Sequence, residues 1–482
     1  MSSTPKTSIA ILLLVTIAAG WLYSYAVQGP GVDREVFRYA GMAIANGETP
    51  YITFFDHKPP LIYFVYLLAH PFGVYGPQIV FTLFTFLVGL LVYRCCQKWA
   101  PRHALLLTIL WIAMMNDPLV MADGGQNRQF SALAVTALFS YAGIWYHRLQ
   151  WPLIGLGLFL VGFTQFTDLP ALLPLVLFLL FRKKEDRNAG TISGNIGLMA
   201  VGFLLPALLL MFWLYIHGAL PAFLYDAITF NRKWYIDPSL YGSKIKYIIV
   251  LLVKTGYILP LVWLPFLFRT KYKIPALVIL SAAVIQALAL IPGYFFNHYF
   301  ISCIPYSFFG WVWLAKYITE QAKPVKWKKA AAAVMLILSV YYIKPWHWMK
   351  DEGTAAEKQM IAQLEPYARS VKNQRGQLFG LDMTTALSLN ASYNIISPSR
   401  WLYMHFWLRP GWDTTLQQFS EEVLRPLDQA QCRYVLDRDT DIYLWRPDMK
   451  NLWTQYLEEK YRMVLFKKNR EGRILYRLWE RK

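Results

Sequence analysis

The chain has 482 residues, of which 56% are hydrophobic and only 16% are charged, and this composition excludes an ordinary soluble protein. The net charge of +19 does not indicate a nucleic-acid-binding protein, because the basic residues lie mostly in short hinges between apolar runs. In a membrane protein, such hinges are typical of cytoplasmic loops. The cysteines have no metal-ligand spacing and predict neither a disulfide framework nor a zinc site; they are Cys95, Cys96, Cys303 and Cys432.

Apolar segments follow one another from the N-terminus. A helix needs about 20 apolar residues to cross a bilayer. The eleven candidate segments are 9–27, 77–95, 103–121, 129–146, 151–168, 169–182, 195–216, 247–268, 274–292, 300–317 and 329–345. The first follows a weakly basic start without a small-residue cleavage site, which predicts a retained span and not a removed signal. The apolar run 61–69 is too short to span and predicts an interfacial or re-entrant helix.

The distribution of basic residues predicts the orientation of these spans. With eleven spans and a cytoplasmic N-terminus, the inner loops hold 16 basic residues and the longer outer loops hold 8. Counting the run 61–69 as another span would exchange the loops that follow it and reverse this preference. Residues 1–345 are therefore predicted to form a polytopic α-helical membrane domain with about eleven transmembrane helices.

The last part of the chain, residues 346–482, is mixed in charge and predicts a separate soluble domain. Apolar residues recur at helical spacing between Met360 and Val371. The stretches 433–436, 463–466 and 474–476 predict strands, with a turn at Glu471 and Gly472. With eleven spans before it, this small α/β domain is expected on the outer face of the membrane.

The first outer loop, residues 33–60, concentrates ionisable side chains close to the membrane surface, where such groups are usually functional or paired. They are Asp33, Glu35, Asp56, His57 and Lys58. Residues 35–44 have the pattern of a short helix along the bilayer, and Pro59 and Pro60 are suited to start the next helix. Interfacial helices are therefore predicted within residues 28–75, with their polar ends at one site.

Several residues of this loop form a recognisable pattern: Asp33, Tyr39, Gly47, Pro50, Tyr51 and the block DHKPPLIY at 56–63. In this pattern the sequence resembles the GT-C fold glycosyltransferases of the RgtA/B/C/D-like or dolichyl-phosphate-mannose-protein mannosyltransferase-like family, which is related to the lipid A aminoarabinose transferases. Weaker similarities lie at 229–231 before Tyr235 and at 297–299 before Pro305.

The resemblance implies a GT-C membrane enzyme of the bacterial inner membrane. Such an enzyme transfers a hexosyl or pentosyl group from a polyprenyl-phosphate donor to a glycolipid, lipopolysaccharide or protein acceptor at the outer face, with inversion at the anomeric carbon. By analogy Asp33 is the general base, and Lys58 with His57 holds the donor phosphate. Arg232, Lys233 and His298 are expected to complete a cationic pocket. The residues expected to support the site are Glu35, Tyr39, Asp56 and Tyr299.

The sequence departs from the family at one place that concerns a metal. Related enzymes often carry a second acidic residue in the loop after the third span, where this chain reads GGQNRQF, with Asn127, Arg128 and Gln129. Asp33 and Asp123 are the weak candidate ligands that remain, with Asp117 nearby. A divalent metal, Mg²⁺ or Mn²⁺, and a metal-free mechanism therefore both stay open.

Two other classes of function compete with the transferase. A transporter or flippase of lipid-linked sugars would also need many spans, but it predicts charges and broken helices near the bilayer midplane. The charges of this chain gather on one side instead. A non-catalytic assembly protein built around the C-terminal domain leaves the DHKPP block without a role.

Overall fold

The computed structural model describes residues 5–22, 32–120, 124–145, 150–181, 189–234, 241–292, 296–321, 334, 337, 341, 352–381, 384–401, 415–437, 446–468 and 474–482. Helices dominate the part before residue 322. They are α1 (Pro5–Leu22), α2 (Val32–Ala45), α3 (Leu61–Ala69), α4 (Gly76–Trp99), α5 (Ala104–Met114), α6 (Asn127–Ile144), α7 (Trp151–Thr164), α8 (Leu173–Phe181), α9 (Ala189–Ile216), α10 (Leu220–Phe223), α11 (Asn231–Trp234), α12 (Tyr241–Thr255), α13 (Ile258–Trp263), α14 (Lys273–Ala289) and α15 (Ile304–Gln321).

Tighter or wider helical turns join several of these helices. The 3₁₀ turns are His70–Tyr75, Pro101–His103, Pro118–Val120, Phe166–Asp168, Pro170–Leu172, Leu264–Arg269 and Asn297–Cys303, and a π-helical turn, Leu224–Phe230, joins α10 to α11. The turns at Phe166–Asp168 and Pro170–Leu172 separate α7 from α8 where the sequence places Asp168 and two prolines.

By length and composition, two helical stretches of the described residues can cross a membrane, Leu61–Trp99 and Ile192–Ile216. Gly73, with φ of 62°, interrupts the first stretch between α3 and α4. A third span results if Gly242–Thr255 and Ile258–Phe268, which are bent by 93° at their junction, count together. The segment predicted as one span at 247–268 is therefore broken, and the predicted span 329–345 lies almost wholly outside the described residues.

The surface of the helical part is apolar in a way that indicates a membrane protein. Large apolar side chains along α9 are exposed, among them Leu205, Leu208 and Phe212 at 58 to 63% of their area. In water a patch of this size would favour aggregation, whereas lipid tails are its natural surroundings.

The predicted interfacial helices are α2 and α3, and they lie against each other. A Cβ atom on Gly41 of α2 would lie 2.5 Å from the main-chain carbonyl of Tyr66, so only glycine fits at this contact. The ring of Phe37 contacts that of Tyr66 edge-on, with centroids 5.4 Å apart. The next seven residues of α2, 37–43, are buried throughout, because the C-terminal part covers the other face of this helix.

The C-terminal part contains a four-stranded sheet with helices. The helices are α16 (Glu352–Ser370), α17 (Thr384–Tyr393), α18 (Leu416–Phe419), α19 (Arg425–Gln429) and α20 (Pro447–Lys460), and a π-helical turn, Ser420–Leu424, joins α18 to α19. The strands are β1 (Leu378–Gly380), β2 (Tyr434–Asp437), β3 (Tyr461–Lys468) and β4 (Ile474–Arg481), in the order β1-β2-β4-β3. The three stretches predicted as strands lie in β2, β3 and β4, and the predicted turn between the last two lies outside the described residues.

Both faces of the central strand β2 are covered. β2 pairs in parallel with β1 and antiparallel with β4. Because side chains alternate along a strand, Val435 packs into one apolar cluster with Trp453, and Leu436 packs into a second with Leu364. The first cluster also contains Phe55 of the first outer loop, so this core extends into the membrane part of the molecule.

Candidate active site

The first turn of α2 carries Asp33, the predicted general base. An acidic residue is favoured there because the helix dipole is positive at this end. The Asp33 side chain is 14% exposed, and its Oδ2 atom lies 3.8 Å from Nε2 of His298. Burial lowers the pKa of His298 to about 4, and the Asp33 carboxylate opposes only part of this shift. His298 is therefore neutral at pH 7 and contributes a polar contact to Asp33 but no charge to a phosphate site.

The DHK sequence forms a compact turn before α3. The carboxylate of Asp56 accepts a hydrogen bond from the backbone N–H of His57 at 2.7 Å. Nζ of Lys58 lies 2.9 Å from Nε2 of His57 and 3.9 Å from Oδ1 of Asp56. The hydroxyls of Tyr51 and Tyr63 both donate to the carbonyl of Lys58, at 2.8 and 3.2 Å. Lys58 is thus fixed through its own main chain as well as through its neighbours.

The charge of Lys58 follows from the two carboxylates around it. Burial alone would lower the pKa of Lys58, but Asp33 and Asp56 outweigh it and raise the pKa. Lys58 is therefore a cation at neutral pH. Burial also raises the pKa of Asp56, and Lys58 opposes that rise.

A cavity of about 500 Å³ opens beside this turn. Three cationic side chains contribute to its wall, Lys58, Arg128 and Arg232, together with His57 and Tyr299. Among the described residues that line it there is no carboxylate, and Asp33 is not one of them. The cavity therefore suits an anionic group, with Asp33 held beside it through Lys58 and His298.

Arg128 is the cavity residue to which the sequence pattern assigned no role. It lies in the first turn of α6, within the segment noted above only for its missing acid. Its Nη1 atom donates to Oγ of Ser302 at 3.1 Å and lies 3.5 Å from Oδ1 of Asp168, and the guanidinium stacks 4.0 Å from the centre of the Tyr299 ring. A signal for Arg128 existed in the sequence, because a buried charge such as Asp168 requires a partner.

Asp168 is itself fully satisfied inside the protein. Its carboxylate accepts hydrogen bonds from Ser131 at 2.7 Å, Ser302 at 2.9 Å and Gln286 at 3.1 Å. These donors come from three separate elements of the fold. Asp168 therefore holds Arg128 from behind, while Arg128 lines the cavity.

The other predicted residues lie in different surroundings. Glu35 is fully buried and pairs with Arg38, with Nε of Arg34 3.8 Å away, so it is neither a surface group nor part of the cavity wall. The hydroxyl of Tyr39 accepts a hydrogen bond from the backbone N–H of Ser397 in the C-terminal part at 2.8 Å. Lys233, next to Arg232, is exposed and is not among the cavity residues.

The structure adds little to the metal question. Among the described residues there is no group of three or more His, Cys, Asp and Glu side chains placed to hold a metal ion. Asp117 accepts a hydrogen bond from the hydroxyl of Tyr257 at 2.9 Å instead. Asp123 lies outside the described residues, so the divalent metal stays a prediction.

Comparison with known proteins shows similarity in structure and not in sequence. No sequence-family description matches the chain, and no curated protein has a significantly similar sequence. ArnT from Cupriavidus metallidurans bound to undecaprenyl phosphate superposes with a TM-score of 0.60 at 14% identity, over 98% of both chains. Its apo form gives the same TM-score at 12% identity, over 99% of this chain and 98% of that chain.

A second structure extends the comparison to another kind of transferase. The Archaeoglobus fulgidus oligosaccharyltransferase tethered to an acceptor peptide superposes with a TM-score of 0.52 at 11% identity, over 98% of this chain and 73% of that chain. At these identities the similarity establishes the fold. The chain therefore has the GT-C fold that the residues of its first outer loop predicted.

Proposed function

We propose that this protein is a glycosyltransferase that moves a sugar from a polyprenyl-phosphate donor to an envelope acceptor, which is a glycolipid, a lipopolysaccharide or a protein. The observation that carries this proposal is the cavity whose wall combines Lys58, Arg128 and Arg232, with Asp33 beside it. The undecaprenyl phosphate bound to ArnT, which has the same fold, supports a donor of this class.

The chemistry follows from this arrangement of charges. An acceptor hydroxyl attacks the anomeric carbon while its proton passes to Asp33, and the bond from that carbon to the phosphate oxygen breaks. The polyprenyl phosphate leaves with the electron pair, and the three cations stabilise the negative charge that develops on it. A single displacement of this kind inverts the anomeric configuration. The acceptor reaches Asp33 from outside the cavity, since Asp33 does not line it.

The proposed topology completes the function. Eleven spans with a cytoplasmic N-terminus place α2, α3 and the C-terminal domain on the outer face of the bacterial inner membrane. On that face the phosphate of a membrane-embedded donor lies at the depth of an interfacial cavity, and its chain stays in the bilayer.

The test is transfer of a labelled sugar from synthetic polyprenyl phosphate by the purified protein, by Asp33→Asn and by Glu35→Gln. Asp33→Asn is expected to lose transfer by at least about 100-fold, because general-base catalysis contributes roughly that much. Its affinity for undecaprenyl phosphate is expected to remain. Full activity of Asp33→Asn would remove the assigned base, and no transfer by the wild-type protein from a panel of such donors would favour the transporter.

The acceptor is tested in cells. Mass spectrometry of envelope glycolipids and glycoproteins from a deletion strain is expected to show the loss of one sugar from one class of molecule. An unchanged profile would contradict an envelope acceptor.

A further inference from the structure

Arg400, in the C-terminal part, contacts two segments that lead to the cavity. Its Nη1 atom donates to the carbonyl of Tyr51 at 2.6 Å. Its Nη2 atom donates to both carboxylate oxygens of Asp226, at 2.9 and 3.1 Å. Its own carbonyl accepts from the backbone N–H of Phe55 at 2.7 Å. One residue of the C-terminal domain is therefore bonded to the first outer loop at two points and to the segment after α10 at a third.

The first route from Arg400 to Lys58 runs through Tyr51. Tyr51 has a positive φ of 68°, a left-handed conformation that costs free energy for a residue with a side chain. Such a conformation persists only where its surroundings hold it, and here Arg400 binds the Tyr51 carbonyl while the Tyr51 hydroxyl binds the Lys58 carbonyl. Arg400 thus stabilises the strained residue that positions the main chain of Lys58.

The second route runs through the π-helical turn Leu224–Phe230, which is of a kind often found at functional sites. Asp226 near its start is fully buried and bound to Arg400. Asn231, which follows the turn, donates through its side-chain amide to the carbonyls of Ala227 and His57, both at 2.8 Å. The next residue, Arg232, lines the cavity.

We propose that Arg400 is a positioning residue of the site and that the C-terminal domain sets the geometry of the cationic cavity through it. The ion pair with Asp226 orients the turn that carries Asn231 and Arg232, and the bond to Tyr51 orients Lys58. The role as a phosphate site rests on the proposed function, whereas the mechanical coupling does not. Trp401 supports the arrangement, because the Arg400 guanidinium lies 4.9 Å from the centre of its ring.

The chain offers a matched control. Arg375 also joins the C-terminal domain to the first outer loop, through an ion pair with Glu48. Its side chain is 67% exposed, and no bond printed for Glu48 leads on to Lys58. Arg375→Gln therefore removes a contact between the same two parts of the molecule without touching either route.

The experiment compares full-length wild type, Arg400→Gln, Asp226→Asn, their double mutant and Arg375→Gln in detergent or nanodiscs. Hydrogen exchange followed by mass spectrometry is expected to show faster exchange in peptides covering residues 51–60 for the Arg400 and Asp226 variants and wild-type exchange for Arg375→Gln. Affinity for undecaprenyl phosphate is expected to fall by about tenfold in the same variants, since a misplacement of about 1 Å is costly at a preorganised site.

Two further results separate positioning from general loss of structure. The effects of Arg400→Gln and Asp226→Asn are expected to be less than additive in the double mutant, because both break the same contact. Arg400→Lys, which keeps the charge but not the two-armed geometry, is expected to restore part of the affinity. Unchanged exchange at 51–60 in Arg400→Gln, or equal effects from Arg375→Gln, would overturn the proposal. If wild type fails to bind undecaprenyl phosphate while the exchange pattern holds, the proposed donor is wrong and the coupling stands.

Discussion

The molecule has two cavities of similar size at opposite ends of α4, and they differ in how their cations are held. The cavity beside Lys58 is about 500 Å³, and the carboxylates that pair with Lys58 and Arg128 are buried. The second cavity, about 530 Å³, contains Lys271 and Lys316 in its wall. Both of these lysines pair with Glu320, at 2.8 and 3.1 Å, and that carboxylate is one third exposed.

This difference decides what each cavity can bind. Asp56 and Asp168 lie behind the cations, so the positive side chains still line the first cavity. In the second cavity one exposed carboxylate lies between two lysines and competes with any anion for them. The rest of that wall is mainly apolar and includes Leu179, Val278 and Phe309, as in any groove that faces lipid. Volume alone would not tell the two apart, but the placement of the carboxylates does.

The largest effect is expected from exchanging one lysine in each cavity. Lys58→Ala is expected to lower the rate of sugar transfer by at least about 100-fold, the usual cost of removing a group that stabilises developing charge. Lys316→Ala, the matched variant, is expected to change the rate by less than about twofold. Steady-state kinetics with labelled donor measures both. Similar losses in the two variants would remove the distinction between the cavities.

A smaller effect on transfer is expected from the buried pair Arg128 and Asp168. Arg128→Gln leaves the Asp168 carboxylate buried without its cation, which costs about 3 to 5 kcal/mol of stability when such a pair is broken. Its apparent melting temperature is expected to fall, and its affinity for undecaprenyl phosphate to fall about tenfold. Arg128→Lys keeps the charge and is expected to recover more stability than planar stacking on Tyr299. Lys271→Gln is the control at the second cavity, and a similar loss of affinity there would contradict the comparison.

The smallest effect concerns pH and Asp226, near the first cavity. Burial raises the pKa of Asp226 to about 7, Arg400 opposes the rise, and Asp56 and Glu422 add to it. Between its ordinary pKa and about 7, the folded protein binds more protons at this site than the unfolded chain. The contribution of Asp226 to stability therefore falls as the pH rises through this range and is constant above it.

Melting curves from pH 5 to pH 8 test this sign. The apparent melting temperature of wild type minus that of Asp226→Asn is expected to decrease as the pH rises to about 7. A difference that increases with pH over this range would contradict the raised pKa.

Much of the local structure could be predicted from sequence, because it depends on neighbouring residues. Helix α2 and the break before α3 follow from apolar spacing and from Pro59 and Pro60, and the strands β2, β3 and β4 follow from alternating apolar residues. The DHK turn was found as a block of adjacent residues. The number of spans stays a prediction, since the described helices include two or three that qualify by length and composition.

The contacts that complete the site could not be predicted in the same way. Arg128 and Asp168 are 40 positions apart, and Asp226 and Arg400 are 174 apart. Such pairs are set by how helices and domains pack, which hydrophobic periodicity does not encode. The neutral state of His298 likewise depends on its burial and not on its neighbours in sequence.

The π-helical turn Leu224–Phe230 has a consequence for how this region tolerates change in length. A π-helical turn accommodates an extra residue relative to an α-helix, and each residue of an α-helix turns the chain by about 100°. Deleting one residue there would rotate Asn231 and Arg232 away from His57 while leaving Asp226 in place. A homologous chain that keeps every side chain named here but lacks that one residue would present a differently shaped cavity.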